Sequence, residues 1–124
     1  NKQVEMTGSL SKSELINIMK SSRIFILNTT FESFSFQIVE AMNAGIITII
    51  SNMIGQAEIF RKNKLNALIL KDNKPETIAK KLEEFSNRDN KKLSSELRTL
   101  SKDFRERKSL ILFKKKFELL VNSI

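Results

Sequence analysis

The stretch Ile24-Phe25-Ile26-Leu27-Asn28-Thr29-Thr30-Phe31-Glu32-Ser33-Phe34-Ser35-Phe36-Gln37-Ile38-Val39-Glu40-Ala41-Met42-Asn43-Ala44-Gly45-Ile46-Ile47-Thr48-Ile49-Ile50 decides the fold. Its first four residues are apolar without interruption, the pattern of a parallel strand covered on both faces. Thr29–Ser33 has neither a helical nor a strand period and reads as a loop. Ile38, Val39 and Met42 then fall at helical spacing, which predicts a helix over Ser35–Asn43 with Gly45 as its C-terminal stop. Ile46–Ile50 is a second apolar strand. Strand, loop, helix and strand in that order form a parallel crossover unit.

The same grammar continues outward. Upstream, Val4–Met6 is expected to end a strand. Ser11-Lys12-Ser13-Glu14 reads as a capping box opening a helix over Ser13–Ser21, with Leu15, Ile18 and Met19 on its apolar face. Downstream, Gln56–Lys62 is a short helix and Ala67–Leu70 a third strand. Pro75 opens a helix to Phe85 carrying Ile78, Leu82 and Phe85. Residues 91–124 hold two apolar stripes. One is Leu93, Leu97, Leu100 and Phe104; the other is Leu110, Phe113, Phe117, Leu120 and Val121. They predict one long helix, or two broken near Glu106–Ser109. The expected architecture is α/β: a Rossmann-like open parallel sheet with helices on both faces, closed by C-terminal helices. It forms a single domain over 1–124, with 1–85 as the α/β core and 86–124 as the C-terminal helices.

Composition narrows the chemistry. The 124 residues are 40% hydrophobic and 29% charged, which suits a folded domain. With no cysteine and no histidine, thiolate nucleophiles, disulfides and imidazole bases are excluded within this chain. Any chemistry falls to carboxylates, hydroxyls, cations and backbone amides. No apolar run approaches the roughly 20 residues needed to span a bilayer. The first residues lack a signal-peptide pattern and an initiator Met, so the chain reads as a piece of a longer protein. The net charge of +8 is compatible with a phosphate ligand, nucleic acid or anionic lipid, and equally with a wet lysine-rich surface.

In open parallel sheets, ligands bind beyond the C-terminal ends of the strands. Residues 29–35 occupy that place and run into a helix N-terminus, where the amides of Phe34–Gln37 make an anion site. Two carboxylates flank it, Glu32 in the loop and Glu40 within the helix. Carboxylates accept from sugar hydroxyls and amides donate to phosphate; a nucleotide-sugar carries both groups. Plainer readings stand beside this one. Glu32 could cap the helix, Glu40 could sit in a surface ion pair, and Glu58 reads as holding a turn. Phe34 and Phe36 read more readily as core packing than as stacking platforms. Lys114-Lys115-Lys116 reads as the solvated side of a helix.

Glu32 and Glu40, followed by Ala41-Met42 and Ala44-Gly45, resemble the signature of family-four retaining glycosyltransferases with the GT-B fold. The landmarks around it are similar in the same order. They are Gly8 and Leu10 with Glu14-Leu15, the strand Ile24–Leu27, the strand Ile46–Ile50, Gly55-Gln56-Ala57-Glu58-Ile59, Asn66–Leu70, and Pro75-Glu76 with Ile78-Ala79. The resemblance covers about residues 4–85 and is to the C-terminal, donor-binding domain. It implies a nucleotide-diphosphate sugar as donor, UDP- or GDP-linked, with no cofactor and no metal, and retention of anomeric configuration. It implies that Glu32 lies beside the transferred sugar and that Glu40 accepts from the ribose hydroxyls. The backbone amides of Phe34, Ser35 and Phe36 would hold the sugar and diphosphate, and Gln37 and Ile38 would open the helix whose dipole faces the diphosphate.

It also implies an N-terminal acceptor domain, and an Arg and a Lys that grip the diphosphate; all lie outside this sequence. The chain alone is therefore expected to be inactive in transfer. Ser33 and Ser35 stand where glycines are common, Ile46 where proline is, and Ala67 where glycine is. A cytoplasmic location, peripheral to the inner membrane face through an anionic surface, is the expectation by analogy. Nucleic acid is not an expected partner. The alternative is a non-catalytic GT-B module that binds a nucleotide or partner; a basic nucleic-acid module ranks last, for want of any recognition motif. An epimerase or phosphorylase relative would share the fold but not the two-glutamate signature.

Overall fold

The computed structural model describes residues 3–30, 34–106 and 108–123, without the side chains of 105–114. Ten elements follow in chain order: α1 (Lys12–Ser21), β1 (Ile24–Leu27), α2 (Phe36–Asn43), β2 (Ile47–Ser51), α3 (Gln56–Lys62), a 3₁₀ turn (Asn66–Leu68), β3 (Ile69–Leu70), α4 (Pro75–Ser86), α5 (Lys91–Glu106) and α6 (Lys108–Asn122). The three strands form one parallel sheet in the order β1-β2-β3. Ile24 pairs with Ile47 and Leu27 with Ile50; Ile50 pairs with Ile69. The Rossmann-like α/β class expected from the apolar runs is the one observed.

The apolar spelling of each strand matches its place. Every residue of β2, the middle strand, is buried, whereas β1 at the sheet edge is half-buried throughout. Thr48 tolerates complete burial because its hydroxyl donates to the Ile46 carbonyl at 2.9 Å. The main core joins Ile38 and Met42 of α2 to Ile49, Ile50, Phe60, Leu68, Leu70 and Phe85, and to Leu97 of α5. A smaller cluster of Met19, Ala41 and Ile46 seats α1.

Helix ends follow local chemistry. The capping box is present: Ser11 Oγ accepts from the Glu14 amide at 3.2 Å, and the Ser11 amide donates to Glu14 Oε1 at 3.3 Å. The end of α2 is a Schellman motif. The Gly45 amide donates to the Met42 carbonyl at 3.0 Å and the Ile46 amide to that of Ala41 at 3.1 Å. Gly45 adopts φ +76° to do so, a conformation that costs other residues a Cβ clash.

Three expectations are corrected. Val4–Met6 is not a strand; Val4 and Met6 are exposed and pair with no neighbouring strand among the described residues. The third strand is shorter than Ala67–Leu70, because Leu65 and Leu68 are both buried and a 3₁₀ turn aligns residues three apart on one side. The Leu68 amide closes that turn on the Leu65 carbonyl at 3.0 Å. Residues 91–106 and 108–122 are helical, as expected, and residue 107, where a break was expected, lies outside the described residues. The stripe on α5 enters the core, but on α6 Phe117, Leu120 and Val121 are exposed; Leu110 and Phe113 lie outside the described side chains. Lastly, Glu58 does not hold a turn. It sits in the first turn of α3 and pairs with Lys62 at 3.7 Å, both side chains being largely in solvent.

Candidate functional site

The C-terminal end of β1 and the N-terminal end of α2 meet at one side of the sheet, and the segment between them is the candidate site. Glu32 lies outside the described residues, as do Phe31 and Ser33. Phe34 is half-buried and packs against the core. Its ring meets that of Phe36 edge-on at 5.3 Å and that of Phe104 at 5.9 Å. Phe34 thus ties the loop to α5, the packing role read from the sequence. Phe36 does not share it: the residue is 71% exposed, and its ring meets that of Phe34.

Ser35 is held by a residue the sequence reading passed over. Gln56, wholly buried at the start of α3, turns its side-chain amide onto the Ser35 backbone. The Ser35 N–H donates to Gln56 Oε1 at 3.1 Å, and Gln56 Nε2 donates to the Ser35 carbonyl at 2.7 Å. The two bonds mimic a strand pairing between residues 21 positions apart and fix where α2 begins. Ser35 caps α2 with extended backbone, but its side chain makes no capping bond. The Ser35 amide is therefore spent inside the fold. The first-turn amides of α2, on Phe36, Gln37 and Ile38, have no partner within the helix by construction. The signal for Gln56 was present: with Ala57 and Phe60 it shares the buried side of α3. A polar side chain on an apolar face needs a partner.

The helix α2 divides cleanly. Ile38, Val39, Ala41 and Met42 are buried, while Phe36, Gln37 and Asn43 are exposed and Glu40 is half-buried. Phe36, Gln37, Glu40 and Asn43 fall within one outward arc of the helical wheel. Glu40 stands about 6 Å along the axis from Phe36. Its carboxylate makes no ion pair and no hydrogen bond among the described residues, so the plain reading as half of a surface ion pair has no support there. The face thus offers free amides at its opening, an exposed aromatic ring beside them and an acceptor carboxylate one turn on.

The ends of β2 and β3 complete this side of the sheet. Asn52 donates through Nδ2 to the Lys71 carbonyl at 3.0 Å, joining the two exits. Asp72 then accepts from the Thr77 hydroxyl at 2.5 Å and from the Lys74 amide at 3.0 Å. Those hydrogen bonds, the Thr77 one foremost, hold its carboxyl below the usual aspartate range, with help from the nearby Lys74 and Lys71 charges. Asp72 opens α4 and is a structural carboxylate. Among the described residues no three carboxylates gather as metal ligands, and no helix is long and apolar enough to cross a membrane.

No curated protein matches the chain closely enough to count as a relative. The profile of the family described as Glycosyl transferases group 1 matches residues 1–116. That span takes in the sheet, the Gln56-braced opening of α2, all of α5 and the first part of α6, and on that match the chain belongs to the group 1 glycosyltransferases.

Proposed function

We propose that this chain is the donor-binding part of a retaining glycosyltransferase and takes a nucleotide-diphosphate sugar at the opening of α2. The observation that carries the reading is the outward face of that helix. It sets the acceptor-only carboxylate of Glu40 about one turn, roughly 6 Å, from amides that have no partner within the helix. A ribose bridges that span when its phosphate lies on the amides and its hydroxyls reach the carboxylate.

Each group then has one task. The amides of Phe36 and Gln37, with the partial positive charge of the helix end, hold the diphosphate. Glu40 accepts from the ribose hydroxyls, and Glu32 and the Phe34 segment serve the sugar. Ser35 contributes its position, through Gln56, more than its amide. As the glycosidic bond to the diphosphate breaks, negative charge grows on the leaving oxygen, and fixed dipoles aimed there lower the barrier without reorganising. Retention places the acceptor hydroxyl on the same face as the leaving group, whose phosphate oxygen can take the acceptor proton. Acceptor binding falls to a further domain.

Calorimetric titration with UDP, GDP and ADP, alongside Glu40→Gln, tests the reading. One nucleotide is expected to bind, and Glu40→Gln to weaken it about tenfold or more, the worth of a charge-assisted hydrogen bond. Binding of no nucleotide, or equal binding by the variant, refutes it and favours a non-catalytic module.

A further inference from the structure

At the opposite end of the sheet, where the strands begin, the surface opens into a cleft of about 540 Å³. Four cations line it, Arg23, Arg88, Lys91 and Arg98, against a single carboxylate, Asp89. Arg88 is committed to neighbours: it pairs with Glu84 at 3.9 Å, bonds Asn90 at 3.1 Å and lies over the Phe85 ring. Asp89 accepts from the Lys91 amide at 3.0 Å. Arg23, Lys91 and Arg98 have no ion-pair partner among the described residues. Among the described residues, Arg23 and Arg98 make long hydrogen bonds, 3.5 Å each, to the carbonyls of Ser86 and Ala44.

Two features show that this charge is placed at a cost. Lys91 and Lys92 occupy the first turn of α5, which holds no acidic residue; cations there oppose the helix dipole. The Arg98 guanidinium lies against Gly45, in space that any side chain at position 45 would fill. The backbone leaves a berth for that guanidinium at the lining of the cleft, where it faces the strand ends beside Arg23. Charge gathered against local electrostatics, in a concavity where one carboxylate faces four cations, calls for an anion of two or more charges. Guanidinium forks match phosphate oxygens pairwise, and a lysine adds a point charge.

We infer that this cleft binds a small, free phosphate-bearing anion, at a site separated from the opening of α2 by the length of the strands. It does not depend on the proposed donor site, and the experiment reads the two ends separately. The ¹⁵N-labelled chain is titrated with inorganic pyrophosphate at constant ionic strength. The amides of Gly45, Lys91, Lys92 and Ser94 are expected to shift saturably, whatever Phe36–Ile38 do. Arg23→Gln with Lys91→Gln is expected to weaken that response roughly tenfold, and Arg23→Lys with Lys91→Arg to restore it, with unchanged circular dichroism in both.

Shifts reproduced by sodium chloride alone, or equal in the charge-removed variant, overturn the inference, as does no saturable response. Perturbation of the same amides by phosphatidylglycerol vesicles, with none from pyrophosphate, overturns it in favour of a membrane headgroup.

Discussion

Replacing Gln56 by methionine isolates what the clamp on Ser35 contributes. Methionine keeps the length and flexibility of the side chain, so the packing around Ala57 and Phe60 changes little. Both hydrogen bonds, at 3.1 and 2.7 Å, are lost. The larger cost is what remains, a backbone N–H and C=O in a site where Ser35 is only 4% exposed. The carbonyl keeps the first intrahelical bond, which an N-cap carbonyl accepts, so the orphaned N–H dominates and costs about 1–3 kcal/mol, a large part of the roughly 5–15 kcal/mol that holds a domain together. Urea unfolding should show a lower midpoint with an unchanged slope. Hydrogen exchange at the Ser35 amide should accelerate well beyond the global loss, since the opening of α2 frees itself first. Gln56→Glu is the informative companion: its carboxylate accepts from the Ser35 amide but repels the carbonyl in a fully buried site, so it should cost more near neutrality than in acid, where a protonated carboxyl can donate. A loss under about 0.5 kcal/mol for the methionine variant, or an unchanged Ser35 exchange rate, refutes the bracing role.

Two further predictions concern the frame. Leu97→Ala, at a fully buried position of α5, should cost about 2–5 kcal/mol in chemical denaturation; a near-neutral result would show that α5 is not part of the core. Asp72→Asn tests the helix opening of α4. Because the folded carboxyl titrates lower than the unfolded one, its contribution is present above the unfolded pKa and fades as pH falls through the folded one. The wild-type advantage over the variant should therefore be full near neutrality and vanish below the ordinary aspartate range, and a pH-independent difference would count against the Thr77 bond.

How much of this was legible in the sequence follows from how local each cause is. β1 and β2 could be read because strands covered on both faces spell themselves as unbroken apolar runs. The capping box and the Gly45 stop could be read because their chemistry is complete within a few residues. The length of β3 could not: Asn66–Leu68 turns into a 3₁₀ helix to bury Leu65 and Leu68 together, a choice made by the core. The solvent-facing stripe of α6 shows the same limit from the other side. Phe117, Leu120 and Val121 have helical spacing, but spacing does not say what a face meets. In the candidate site, Glu40 and the opening of α2 were visible as a pattern. The partner of Gln56 was hidden, because it is the backbone of a residue 21 positions away, and a backbone leaves no letter in the sequence.

Gly45 carries a consequence for how this sequence can vary. Two unrelated demands meet there: the left-handed turn that ends α2 and the space occupied by the Arg98 guanidinium. Shortening Arg98 removes the second demand and leaves the first. Asparagine, which tolerates the left-handed region, meets the first and still collides with Arg98. Position 45 and position 98 are therefore epistatic, and the order of change matters. A lineage that loses Arg98 first opens position 45 to asparagine, whereas one that changes Gly45 first must push a guanidinium from its seat. Paired-site libraries should recover asparagine at 45 chiefly alongside small residues at 98.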